Sequence, residues 1–188
     1  MNQEIEIEYK VLLSETKFNK ILITLDFPKE PITQTNYYFE TPDFKLKKHN
    51  SALRIRKKNS DYIVTLKEPH PQGILETHDY ISESDFNYAI NENVLNAPNC
   101  IHQLNKRNIS IKDIKYMGFL TTERYEFSKD HLIYVLDKSF YNNKIDYELE
   151  IEAPSKTIGL NKFNELISKF NIKKLSPVTK IERFFDTV

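Results

Sequence analysis

Apolar and charged residues alternate with a period of two from the start of the chain. In residues 4–10, EIEIEYK, one face of an extended strand carries Ile5, Ile7 and Tyr9, and the other carries Glu4, Glu6, Glu8 and Lys10. The same writing returns in residues 51–58, where Leu53 and Ile55 oppose Arg54, Arg56 and Lys58. It returns again in residues 145–153, where Leu149 and Ile151 oppose Glu148, Glu150 and Glu152. Further strands are predicted over 33–40, 62–67, 73–81, 117–127 and 132–138, which makes eight in all. Turn chemistry separates them at Thr41-Pro42-Asp43, Asn59-Ser60-Asp61, Pro69 and Pro71, Lys129-Asp130 and Asn142-Asn143. Residues 44–50 are basic and predict a loop or a short edge.

Helical spacing appears in three places. Ser14 is an N-cap for a helix over 15–25, with Phe18, Ile21, Leu22 and Leu25 as its stripe. Residues 82–112 hold two helical or irregular segments, with Phe86, Ala89, Ile90 and Val94 at helical spacing. Pro154 and Ser155 open a helix over 156–170, and the tail over 176–188 predicts a last short helix. Strands joined mainly by hairpins imply an α+β fold with one antiparallel sheet and no parallel doubly wound core. Residues 1–188 read as a single domain, with 82–112 inserted between two halves of the sheet. Eight strands closed into a barrel leave room inside for side chains or one small ligand. Each helix needs an apolar surface to cover, so the economical barrel has its apolar faces outward under helices and its charged faces lining the lumen. On the residues alone, solvated outer charges remain the other solution.

Composition narrows the chemistry. The 188 residues are 39% apolar and 29% charged, with a formal net charge of zero, so sign is arranged locally. Cys100 is the lone cysteine, and no apolar run reaches the length of a membrane span. The acidic start lacks the basic residues of a signal peptide, so the cytoplasm is the expected location. Only Gly73, Gly118 and Gly159 are glycines, which excludes a glycine-rich phosphate loop. Side chains must bind any phosphate. The five histidines form no metal-ligand spacing, Cys100 and His102 make no zinc site, and no nucleophile-elbow serine is present.

Carboxylates at i and i+2 on a strand lie roughly 6.5–7 Å apart, so two acidic strands can offer several oxygens to one hard cation. Magnesium or manganese suits such oxygen-only ligation. Arg54 and Arg56 carry forked donors suited to phosphate oxygens, and Lys10, Lys67 and Lys180 act as point charges. Both signs together with a divalent metal fit a small triphosphate, attacked by water with mostly electrostatic catalysis.

The ordered motifs resemble those of the CYTH superfamily, the triphosphate tunnel metalloenzymes. Glu6-x-Glu8-x-Lys10 is similar to its ExExK signature; LRIR (53–56), TLK (65–67), Glu76, TTER ending at Arg124, LD ending at Asp137 and YELE (147–150) follow in the family's order. Lys180 and Arg183 match its basic C-terminal segment. The match covers nearly the whole chain and looks most like the small single-domain CYTH proteins of Gram-positive bacteria. It implies an eight-stranded antiparallel tunnel with a charged lumen, outer helices, and Mg2+- or Mn2+-dependent attack on triphosphates. Carried over, Glu6, Glu8, Glu148 and Glu150 would be metal ligands or water-orienting groups, with Glu6, Glu8, Lys10 and Glu150 at the centre of catalysis. Lys10, Arg54, Arg56, Lys67, Arg124, Lys180 and Arg183 would bind the triphosphate. Glu76 and Asp137 would support them, and Glu4 and Glu152 would lie at the outer edges. The glycine many members carry before the last acidic strand is replaced by Asn142-Asn143, a change at the tunnel mouth.

Two other readings share these residues. A class IV adenylyl cyclase would use a ribose hydroxyl in place of water. A non-catalytic module for nucleotides, polyphosphate or the 5′-triphosphate end of RNA would need the basic residues but no metal. General nucleic-acid binding and membrane association are not expected, given zero net charge and no continuous basic stripe.

Overall fold

Hairpin turns form at Asn59-Ser60 and Asn142-Asn143, where the sequence places them. A computed structural model describes residues 2–173 and 179–187. In chain order it contains β1 (Asn2–Glu6), β2 (Glu8–Leu13), α1 (Glu15–Thr24), β3 (Ile32–Glu40), α2 (Lys45–Lys48), β4 (Ala52–Lys58), β5 (Asp61–His70) and β6 (Gly73–Ile81). There follow α3 (Glu83–Glu92), α4 (Pro98–Lys106), a 3-10 turn (Ile111–Asp113), β7 (Lys115–Lys129), β8 (Leu132–Tyr141), β9 (Lys144–Glu152), α5 (Lys156–Lys169) and α6 (Lys180–Phe185). With so few glycines, asparagine takes many of the left-handed turn positions. Asn59 does so between β4 and β5, Asn142 and Asn143 between β8 and β9, and Asn93 at the end of α3. Residues 176–178 and 188 of the expected C-terminal helix lie outside the described residues.

The chain forms two compact units. The first comprises Met1–Ile5 and Gln34–Leu120, and the second comprises Glu6–Thr33 and Thr121–Val188. Strand order is β1-β6-β5-β4-β3-β7 in the first and β7-β8-β9-β2 in the second. Pairs β3/β4, β4/β5, β5/β6, β7/β8, β8/β9 and β2/β9 are antiparallel. The antiparallel α+β class is as expected.

Three expectations are corrected. Among the described residues nine strands replace eight, because the continuous first strand expected over 4–10 breaks at Ile7. Its first half pairs with β6 and its second with β9, and the break is held by the Ala153 amide donating to Ile7 O at 2.9 Å. The stretch 44–50 holds the short helix α2, because the buried Glu40 carboxylate accepts from the amides of Leu46 and Lys47 at 2.9 Å each. Strand β5 also runs past Lys67 and through Pro69 to His70, so the turn falls at Pro71-Gln72.

Each unit buries one face of its sheet beneath helices. In the first, Leu53, Ile55, Val64 and Leu66 pack with Phe86 and Ala89 of α3 and Cys100 and Leu104 of α4. In the second, Val11, Leu136, Leu149 and Ile151 pack with Phe18 and Ile21 of α1 and Phe163 and Leu166 of α5. Period-two alternation then leaves the charged residues of those strands on the other face of each sheet. Among the described residues no helix is long and apolar enough to cross a membrane.

Helix α4 starts without a side-chain cap of its own, at Ala97. Asp79 of β6 supplies one, accepting from Asn99 N at 3.2 Å, Asn99 Nδ2 at 2.8 Å and Cys100 N at 2.8 Å. Asp79→Ala strands those buried donors and is expected to lower the unfolding free energy in urea by about 1–3 kcal/mol, with Asp79→Asn between it and wild type.

Gly159 lets α5 approach β2. A Cβ there would lie 2.7 Å from Tyr9 Cε2 and 2.8 Å from Ala153 Cβ. The Tyr9 ring is held by its hydroxyl donating to Lys156 O at 3.0 Å and by Phe163, with ring centroids 5.8 Å apart. The helix-propensity gain of alanine is about 1 kcal/mol, whereas overpacking is destabilising by about 1–3 kcal/mol. Gly159→Ala is therefore expected to lower the Tm in thermal unfolding.

Candidate active site

The polar face of the second unit is built on β7, β8, β9 and β2. Register sets Asp137 between Arg124 and Glu148, and Lys10 opposite Glu150, with Glu8 opposite Glu152. These acids are nearly buried: 0% of the Asp137 side chain is exposed, 1% of Glu148 and 6% of Glu150. Buried carboxylates need close cations, and four side chains provide them. Arg124 donates from Nε and Nη2 to the two Asp137 oxygens at 2.8 and 2.7 Å, and from Nη2 to Glu150 Oε2 at 3.1 Å. Lys10 Nζ lies 2.5 Å from Glu8 and 4.0 Å from Glu150.

Helix α6, capped by Thr179, brings the other two cations. Lys180 Nζ lies 2.5 Å from Asp137, 3.0 Å from Glu148 and 3.8 Å from Glu150. Arg183 Nε donates to Asp146 at 2.7 Å, and its Nη2 lies 2.9 Å from Glu148. Burial opposes charge on Lys180, but Asp137, Glu148 and Glu150 outweigh it and hold the ammonium well above its usual pKa. Lys10 follows the same logic through Glu150, Glu8 and Glu148. Burial likewise pushes the Asp137 carboxyl up, yet Arg124 and Lys180 pull it well below the ordinary range. Glu152 is raised, by burial first.

The polar face of the first unit has the opposite character. Arg54 and Arg56 of β4 lie between Tyr38 and Asn36 of β3 and Thr65 and Ile63 of β5. Arg56 Nε donates to Asn36 Oδ1 at 3.0 Å. Arg54 Nε is buried without an acceptor, and among the described residues no carboxylate pairs with its guanidinium. Lys67 is ion-paired with Glu76 of β6. Beside that pair, His78 Nε2 lies 3.2 Å from Glu4 and 3.4 Å from Glu76, while Thr65 Oγ1 lies 3.1 Å from His78 Nδ1.

The structure therefore gathers Glu8, Lys10, Arg124, Asp137, Glu148, Glu150, Lys180 and Arg183 in one unit. It gathers Arg54, Arg56, Lys67 and Glu76 in the other. Glu6 does not continue the strand of Glu8; it ends β1. Glu4, on the terminal strand β1 and exposed, stands beside His78 and Glu76. Asp146, which anchors Arg183 and accepts from the Tyr141 hydroxyl, is a polar-face residue that sequence reading missed. Its signal was present, since it extends the row Glu148, Glu150 by two residues toward the N-terminus.

Among the described residues, Glu4, Glu76 and His78 bring three potential ligand atoms within 4.8 Å of one another. The acidic set Glu8, Glu148 and Glu150 does not bring three ligand atoms that close together; it offers carboxylate oxygens, the donors a hard divalent cation takes, and its negative charge is shared out to Lys10 and Lys180.

Residues 4–185 match the CYTH domain. The chain belongs to the CYTH family. A relative in Bacillus subtilis (strain 168), named "Putative triphosphatase YjbK", is 41% identical over 99% of this chain and 97% of its own. A crystal structure from Bacillus halodurans, titled as that of a "putative adenylate cyclase", is 38% identical, with a TM-score of 0.94 over 98% of this chain and all of that one. A structure of HpAC1 from Hippeastrum, described as a "putative adenylyl cyclase", shares the fold at 21% identity, with a TM-score of 0.77 over 97% of this chain and 96% of its own. The Bacillus subtilis relative and the Bacillus halodurans structure thus carry names for two reactions.

Proposed function

We propose that this CYTH protein is a cytoplasmic enzyme that hydrolyses a small triphosphate, inorganic triphosphate or an organic one, with Mg2+ or Mn2+. The observation that carries the reading is the β9 and β2 acidic row, buried and oxygen-only, balanced by side-chain cations within 4.0 Å. The orphaned Arg54 Nε supports it, because a buried donor with no acceptor suits an anionic ligand.

In this reading Glu6, Glu8, Glu148 and Glu150 hold the metal. Lys10, Arg54, Arg56, Lys67, Arg124, Lys180 and Arg183 bind phosphate oxygens, and residues 1–188 act as one functional domain. The bound cation would neutralise phosphate charge and favour attack by water. The protein's own groups do the positioning. Asp137 fixes the Arg124 fork, so that guanidinium needs no reorganisation as negative charge shifts toward the leaving group. Glu76 orients Lys67 in the same way. The names of the relatives support phosphoanhydride chemistry, and that of the 38% identical structure keeps cyclisation as the second reading.

Purified protein should release phosphate from inorganic triphosphate with Mg2+ or Mn2+ and form no cyclic nucleotide from ATP. Cyclic AMP as the main product would favour the cyclase reading. Tight, metal-independent triphosphate binding without turnover would favour a binding module.

A further inference from the structure

Gln34 sits in β3 at the head of the cationic face. Only 3% of it is exposed, and its Nε2 has no acceptor. Tyr37 and Phe39 of the same strand pack into the apolar core, so alternation turns Gln34 and Asn36 to the other side. The hydrogen bond from Arg56 to Asn36 shows that side to be the cationic one. Register places Lys58 opposite Gln34, Arg56 opposite Asn36 and Arg54 opposite Tyr38. Lysine and arginine side chains donate and never accept, and the Asn36 Oδ1 already serves Arg56. Among the described residues no carboxylate pairs with Arg54 or Lys58. The β3–β4 face is thus a run of donors with two buried members, Gln34 Nε2 and Arg54 Nε, that lack an acceptor. A buried donor left this way is destabilising unless a ligand completes it. What completes it must be rich in acceptors, as phosphate oxygens are.

We propose that Gln34 is a ligand-binding residue whose side-chain amide donates to a phosphate oxygen of the bound triphosphate, beside Arg56 and Lys58. The proposal rests on the triphosphate reading above and adds a neutral contact to a charged site. Because the amide carries no charge, Gln34 contributes a directional hydrogen bond without adding to long-range attraction. Its loss differs measurably from the loss of a cation.

Titration calorimetry with inorganic triphosphate in EDTA, where metal-dependent turnover is prevented, tests this on the full-length protein. Gln34→Leu should bind about 10-fold more weakly than wild type, as expected for a lost hydrogen bond to a charged group. Gln34→Glu should bind more weakly still, since it turns a carboxylate toward the phosphates. The Tm of Gln34→Leu should equal or exceed that of wild type, because the leucine removes a buried orphan donor; a purely structural glutamine would instead lower it. Salt dependence separates charge from hydrogen bonding. Gln34→Leu should leave the slope of affinity against ionic strength unchanged, while Lys58→Ala flattens it. Wild-type affinity in both Gln34 variants would overturn the proposal and leave the triphosphate reading standing. No triphosphate binding by the wild-type protein, in EDTA or with Mg2+ or Mn2+ present, would overturn both.

Discussion

Arg124→Ala is expected to destabilise the protein by about 3 kcal/mol, the lower end of what breaking a buried ion pair costs when one charge is left behind. Asp137 is fully buried and loses its two-pronged partner, and Glu150 loses a donor at 3.1 Å. Lys180 remains 2.5 Å from Asp137 and keeps the loss from being larger. Arg124→Lys should fall between, because an ammonium restores charge but not the paired donors. Urea unfolding of the three proteins at pH 7 measures this. The sign with pH follows from Asp137. Burial raises its carboxyl, but Arg124 and Lys180 bring the folded value below the ordinary 3.8. Its contribution is therefore complete above pH 3.8 and is lost as pH falls through the lower folded value. The gap between wild type and Arg124→Ala should hold from neutral pH to about pH 4 and narrow only in stronger acid.

Glu148→Gln is expected to have the largest effect on turnover. Its carboxylate meets Lys180 at 3.0 Å and Arg183 at 2.9 Å, so it is a proposed metal ligand that also holds two of the cations proposed to grip phosphate. Glutamine keeps the shape and removes the charge. Loss of one electrostatic group in such a setting corresponds to about 10²–10³ in kcat. The apparent requirement for Mg2+ or Mn2+ should rise as well, and far-UV circular dichroism should remain that of wild type. Metal-titrated phosphate release from inorganic triphosphate checks both effects. Wild-type kcat at saturating metal would remove Glu148 from the proposed site.

Much of this architecture was legible because charge and period were written together. Leu149 and Ile151 alternate with Glu148 and Glu150, and that alternation sorts the residues into two faces, of which the helices cover the apolar one. Ser14 and Ser155 announced their helices, and each accepts from an amide of the first turn. The break at Ile7 was not legible, because the alternation runs through it without glycine or proline. Only the pairing partners change, from β6 to β9, and partners are a property of the folded chain. Helix α2 was hidden for a related reason: its N-terminal amides are satisfied by Glu40, which reads locally as the last residue of a strand. Gln34 carries no sequence signal at all. It stands out only once burial and the donor-only side chains across from it are known. Which acid holds which cation was equally out of reach, since Lys180 and Asp137 meet across 43 residues of chain.

Anomalous diffraction from crystals soaked in Mn2+ locates the cation without recourse to activity. The proposed enzyme requires a peak at coordination distance from the carboxylate oxygens of Glu148 and Glu150, with Lys180 Nζ moved away from them. A peak confined to Glu4, Glu76 and His78, or no peak at the β9 carboxylates at saturating Mn2+, would contradict it.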